Sequence, residues 1–361
     1  MSALLRRWPA LAARLPRVAL VDEPTPVAPL ARLGNARGVR DLWIKRDDRT
    51  SAVYGGNKPR KLEWLLGAAR AAQARGVITF GGIGTHHGLA TAACARAVGM
   101  RTVLVLIPQP VTPHVRHCLL TDHALGAELH LASGVADVVR RGLVLLARAR
   151  WQGEPLAVIP TGGSSALGTI GYVDAALELA EQVAAGAMPE PDAIFVPLGS
   201  GGTVAGLVLG LRLAGLRTRV VGVLVTDILP PSPRRLRALA RATARRLAPE
   251  VTPPPLALDD FAIDRDFVGP AYGAPTEAAE AARALARELE DVALETTYTG
   301  KCLAALLARA AEPPWRDRTL LFWNTFSSVD PADALGPLPD WRTLPAAFHR
   351  FFRDDVLAVA S

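Results

Sequence analysis

The chain has 361 residues, half of them hydrophobic, with 41 Lys+Arg against 34 Asp+Glu and a formal charge of +7. The basic residues are interspersed with acidic ones and form no block with interleaved aromatics, which turns the reading from nucleic acid toward a small anionic ligand. The long apolar run 204–211 stops at Arg212, short of a membrane span, and Cys94, Cys118 and Cys302 form no C-x-x-C pair, so a reducing cytoplasmic setting is expected without disulfides or zinc.

In chain order, residues 24–33 read as an extended arm, and 41–48 as a short strand ending in charge. Adjacent Asp47 and Asp48, beside Lys45 and Arg46, read as a solvated turn or an ion-pair cluster rather than as a metal or acid–base pair. Gly55-Gly56-Asn57-Lys58 then precedes a helical apolar pattern at Leu62, Trp64, Leu65 and Leu66. A buried strand at 76–80 runs into Gly81-Gly82-Ile83-Gly84-Thr85-His86-His87-Gly88 and a helix at 89–97. Strand 101–107, helix 114–126 and strand 128–131 come next. A second strand-glycine-helix unit spans strand 156–160, the loop Thr161-Gly162-Gly163-Ser164 and a helix to 179.

The third unit is the most regular: strand 193–198, loop Gly199-Ser200-Gly201-Gly202-Thr203, helix 204–214 and strand 219–225. Residues 230–255 read as a surface helix between loops, and 276–290 and 302–311 as helices. The last buried strand, 319–323, ends at Asn324-Thr325-Phe326-Ser327-Ser328. This alternation predicts an α/β fold of open, twisted parallel sheets with helices on both faces and a ligand at the carboxyl edge.

Of the 41 basic residues only Lys45, Lys58, Lys61 and Lys301 are lysine. Arginine stays protonated, whereas a desolvated lysine can lose its proton and offer a primary amine to an aldehyde. Lys58, next to the glycine turn, is the candidate; a solvated basic helix start is the alternative. The 199–203 loop can wrap a phosphate with successive N–H groups at a helix start. A dinucleotide fingerprint would want glycine at 204, where Val204 stands, although Asp227 after the next strand suits a ribose and keeps an NAD-dependent oxidoreductase open. His86 and His87 are adjacent and lack a third ligand, so no metal is expected; each is a donor to an anion or a buried structural residue.

An amine-bearing lysine and a phosphate loop in one α/β chain point to pyridoxal 5'-phosphate. The motifs at 24–26, 43–48, 55–63, 81–87, 160–172, 199–203, 272–273 and 298–301, in this order, resemble the 1-aminocyclopropane-1-carboxylate deaminase and D-cysteine desulfhydrase family of tryptophan synthase β-like pyridoxal enzymes. The resemblance implies two domains with the cofactor in a cleft between them. Residues 1–60 and 169–361 would form the larger, cofactor-phosphate-binding domain and 61–168 the smaller, substrate-binding one.

Lys58 is then the lysine that carries the cofactor, with Asn57, His86, Gly199, Ser200, Gly201, Gly202, Thr203 and Thr325 as further cofactor contacts. Thr85, Tyr298 and Tyr272 are implied as catalytic, and Thr85, His86, His87, Ser164 and Thr299 as substrate contacts. His86 stands where the family carries asparagine, Thr299 and Thr325 match the desulfhydrase branch, and Phe326-Ser327 replaces a glycine pair. The implied activity is a lyase or deaminase acting by β-elimination on a small β-substituted amino acid, giving a 2-oxo acid and ammonia, with a homodimer as the expected assembly. Ring-opening deamination and a catalytically silent, pyridoxal-binding sensor remain the alternatives.

Overall fold

The computed structural model describes residues 2–226, 230–257, 259–270, 273–313 and 315–353. Its strands are β1 (Val27–Pro29), β2 (Asp41–Lys45), β3 (Gly76–Gly82), β4 (Arg101–Ile107), β5 (Glu128–Leu131), β6 (Leu156–Val158), β7 (Ala193–Leu198), β8 (Arg219–Leu224), β9 (Phe261–Asp264) and β10 (Thr319–Trp323). Its helices are α1 (Ala3–Arg7), α2 (Ala31–Arg37), α3 (Asn57–Ala71), α4 (His86–Ala97), α5 (Pro113–Ala124), α6 (Val135–Trp151), α7 (Ile170–Ala184), α8 (Gly202–Ala214), α9 (Pro233–Leu247), α10 (Glu277–Glu290) and α11 (Thr299–Ala310).

The described residues fall into two compact units. The larger draws on Met1–Arg14, Val21–Lys61 and Ser164–Ser328, the smaller on Leu15–Leu20, Leu62–Gly163 and Val329–Ser361. In the larger unit the sheet order is β1-β2-β10-β7-β8-β9, parallel except for the β1–β2 pair. Alternate residues of β7 point to opposite layers, as the strand period of two requires. Phe195 packs with α10 and α11 residues such as Ala286 and Leu306, while Ile194 and Val196 pack with Leu207 and Val208 of α8 and Ala175 of α7.

In the smaller unit the sheet is wholly parallel, in the order β5-β4-β3-β6. On β4, Leu104 and Leu106 face α4 and α5 while Val103 and Val105 face α6. Both sheets are therefore helix-covered on two faces, which explains strands that read as continuous apolar runs.

Several elements differ from the sequence reading. Only residues 27–29 of the 24–33 arm are extended, as an edge strand that tolerates Pro29 because its N–H side needs no partner, and the chain then turns helical at α2. The sequence reading assigned no element to α6 or β9. Residues 329–353 cluster with the smaller unit, because Leu344, Phe348 and Phe351 bury against Leu104, Val115 and Leu119.

Of the two readings of Asp47 and Asp48, the ion-pair cluster holds and the solvated turn does not: both are buried, Asp48 paired with Arg46 and Asp47 with Arg60. Asp47 accepts hydrogen bonds from Arg60 (Nη2, 2.8 Å), Tyr172 (2.8 Å) and Trp323 (2.6 Å). Glu178 pairs with Lys45 (2.6 Å) and Arg60 (2.9 Å). Burial favours a neutral Glu178, yet the Arg60 and Lys45 charges hold it down to about 2. Arg60 sits in the first turn of α3, so this network fixes the segment that carries Lys58.

Candidate active site

In the larger unit the turn before α3 is tied to the loop after β10. Gly56 lies at φ +82°, and a Cβ there would stand 2.5 Å from the Thr325 carbonyl oxygen, so only glycine allows this approach. Gly55 N–H donates to Ser327 Oγ (2.8 Å) and Asn57 N–H to the Thr325 carbonyl (3.4 Å).

Four lysines enter the comparison and two leave it. Lys45 is committed to Glu178, and Lys301 Nζ donates to the Val268 carbonyl at 2.5 Å. Lys58 Nζ donates to Asn57 Oδ1 (2.6 Å), and burial lowers its pKa to about 8 against the opposing charge of Glu295. Lys61, one turn on, is brought down to about 7 by burial and then by Lys58.

Lys61 does something the sequence reading missed. Its Nζ lies 3.4 Å from Ser164 Oγ, which also contacts Ser200 Oγ (2.6 Å) and accepts from the Gly202 N–H (3.2 Å). Ser164, expected as a substrate contact, thus stands on the glycine loop with Ser200. Asn57 bridges to the same loop through Nδ2 and Thr203 Oγ1 (3.3 Å). The only hint of this in the sequence was that lysine persists at 61 in an arginine-rich chain.

The loop suits an anion. Gly201 has φ +93°, and a Cβ there would lie 2.6 Å from the Leu236 side chain. Helix α8 begins at Gly202 with no cap from its own N-cap residue, Gly201; Ser164 Oγ takes the Gly202 N–H, and a lysine and two hydroxyls converge on the helix start.

At the start of α11, Glu295 accepts from the N–H groups of Thr297 (2.6 Å), Tyr298 (3.0 Å) and Thr299 (2.7 Å) and from the Thr299 hydroxyl (2.9 Å). Thr299 is fully buried and serves this cap, which corrects its expected place at the substrate. Glu295 was absent from the sequence-based site; it orders Tyr298 and is a charge felt by Lys58. Tyr298 and Thr325 are half-buried, and Asp227 and Tyr272 lie outside the described residues.

In the smaller unit, Thr85 is the N-cap of α4. Its Oγ1 accepts from the N–H groups of His87 (3.2 Å) and Gly88 (3.4 Å). The two histidines part company there. His87 is buried with Nε2 3.0 Å from Thr79 Oγ1; since that hydroxyl donates to the Ile159 carbonyl (2.9 Å), the Nε2 carries the proton and donates. This is the structural role, in place of the expected substrate contact. His86 is half-buried and stacks on His114 at 4.7 Å between centroids.

The profile of the family described as "Pyridoxal-phosphate dependent enzyme" matches residues 18–323. The chain belongs to this family. It is a pyridoxal-phosphate-dependent enzyme, 35% identical to the D-cysteine desulfhydrases of Klebsiella pneumoniae (strain 342) and Salmonella choleraesuis (strain SC-B67), in each case over 86% of this chain and 94% of the relative. Among solved structures, an ACC deaminase homologue superposes with a TM-score of 0.76 at 30% identity, covering 92% of this chain and 98% of that one. Maize serine racemase (TM-score 0.59, 19% identity, 92% and 96% covered) shares the fold. Both the two-sheet α/β fold and the cofactor expected from the sequence are thereby borne out, and a dinucleotide enzyme is set aside. The α8 start with Lys61 and Ser200 fits the cofactor's phosphate, and the Lys58 amine fits its aldehyde.

Proposed function

We propose that this pyridoxal-phosphate enzyme is a lyase that eliminates the β-substituent of a small amino acid, as the name of its desulfhydrase relatives implies for them. The observation that carries the reading is Lys58: an amine on a rigid helix start with a pKa lowered to about 8, in the same unit as an uncapped glycine-loop helix. Bound pyridoxal phosphate supplies the electron sink that makes a C–H bond beside an amine acidic. Lys58, as free amine, takes the proton from Cα, and the leaving group departs from Cβ with its bonding electrons. The dehydrated or desulfurated product then reacts with water to give a 2-oxo acid and ammonia.

The remaining residues bind and orient. The larger unit holds the phosphate through Gly199, Ser200, Gly201, Gly202, Thr203, Ser164 and Lys61, with Asn57 and Thr325 beside the lysine. Thr85 and His86, as the family resemblance implies, would take the substrate carboxylate and the cofactor's phenolic oxygen. Tyr298, ordered by Glu295, is the second proton-transfer group. The enzyme is read as cytoplasmic, consistent with three buried free thiols, and as a homodimer by the family resemblance. The test is a screen of β-substituted and cyclic amino acids, both enantiomers, for release of 2-oxo acid and ammonia by the holoenzyme. Turnover of a β-substituted amino acid, lost in Lys58→Ala, is expected; turnover of the cyclopropane substrate alone, or of none, refutes elimination.

A further inference from the structure

A homodimer needs a surface that pairs with itself, and one face of the smaller unit offers it. Among the described residues, every large hydrophobic side chain that stands exposed belongs to α6 or to the edge strand β6 beside it: Val135, Val139, Leu143, Val144, Trp151 and Val158. Trp151 is 88% exposed. The opposite face of α6 is already satisfied, since Val138, Leu145 and Leu146 pack on Val103 and Val105 of the sheet. The helix is therefore apolar on two faces, and only one has a partner within the chain.

We propose that this face is where a second copy of the chain docks, with two α6 helices packed antiparallel about a two-fold axis at Leu143. Two arguments select a copy of the chain over another occupant. The ridge is self-complementary. From Leu143 it meets a small apolar residue four positions away in each direction, Val139 and the exposed Ala147, so a two-fold axis lays Leu143 on itself and Val139 on the partner subunit's Ala147. Its area is also of the right size. Six side chains at these exposures offer roughly 600–700 Å² per protomer, above the patches ordinary on monomers and close to the ~800 Å² per partner of a standard interface. Of the exposed charges of the helix, Arg148 falls to one side of the ridge, whereas Arg140 and Arg150, three and seven positions from Leu143, lie along it.

The inference rests on the dimer reading and is tested so that the two can fail separately. Full-length holoenzyme is tracked by sedimentation velocity across a concentration series, beside Leu143→Glu and Leu143→Cys. The wild type is expected to be a dimer, and Leu143→Glu to raise the dissociation constant at least about 100-fold while binding cofactor normally. Leu143→Cys should be captured as a covalent dimer by a short bis-maleimide, because the three native thiols are buried. A dimer that survives Leu143→Glu and gives no cross-link removes the α6 face and leaves the dimer reading. A wild type that is monomeric removes both, and a monomer that sediments with phosphatidylserine vesicles assigns the face to a lipid surface instead.

Discussion

Two helix starts in this molecule share one sequence pattern, a strand that runs into glycines and then a helix, yet they differ chemically. At α4 the pattern is closed by its own side chain: Thr85 takes the N–H groups of His87 and Gly88. At α8 the N-cap is Gly201, which has no side chain to give; the Gly202 N–H goes instead to Ser164, a residue distant in sequence, beside Ser200 and Lys61. A residue that caps keeps a helix; a glycine that cannot cap leaves the helix for a ligand to finish. The strand-glycine-helix pattern alone does not separate the cases. The N-cap residue does, threonine at position 85 in one turn and glycine at position 201 in the other.

The sharpest way to break this contrast is Gly201→Asp. It places a Cβ against Leu236 at a positive φ and a like charge where the phosphate is to sit, so cofactor affinity should fall by at least about 100-fold, the value of two charge-assisted hydrogen bonds. Titration of the apo-protein with pyridoxal phosphate measures it, and unchanged affinity would move the phosphate elsewhere. Removing the Lys61 amine, which reaches the same loop from α3, should do less: Lys61→Met is expected to weaken cofactor binding roughly tenfold, about 1.5 kcal/mol. At α4, whatever Thr85 does at the substrate carboxylate, the apo-protein loses the cap. Thr85→Ala should lower stability by about 1 kcal/mol, with Thr85→Ser restoring it, by denaturant unfolding of the apo-protein.

The Lys58 amine adds a pH signature that the α4 turn lacks. Its folded pKa, about 8, is below the ordinary lysine value, so the free amine is gained as pH rises through 8. The rate of cofactor attachment to apo-protein should climb with pH and level off above about 8, and a rate still climbing at pH 10 contradicts the assignment. Between about 8 and the ordinary lysine pKa of ~10.4 the unfolded chain holds a proton that the folded one has released, so this lysine also makes apo-protein stability rise with pH in that window.

The sequence showed the buried strands of both sheets, β9 excepted, through their apolar runs, and the three glycine turns through composition. It hid α6, because Val135, Val139, Leu143 and Trp151 are apolar on the outward face and blur the helical period with their inward neighbours. It also hid partners far apart in the chain. Asp47 could be read as part of a solvated turn or of an ion-pair cluster, and its partner Arg60, with Glu178 beyond it, lies on other elements; Ser164 reads as a substrate contact, and its hydroxyl lies on Ser200. The lysine count singled out four candidates and the glycine turn chose Lys58 among them, while the place of Lys61 beside Ser164 needed the distances.

That choice is the centre of the account, and one measurement decides it. Holoenzyme reduced with borohydride, digested and mapped by mass spectrometry should carry the pyridoxyl group on Lys58, with Lys61 unmodified. A pyridoxyl group on Lys61 would put the reacting carbon on the lysine proposed here for the phosphate, and would contradict the assignment of both lysines.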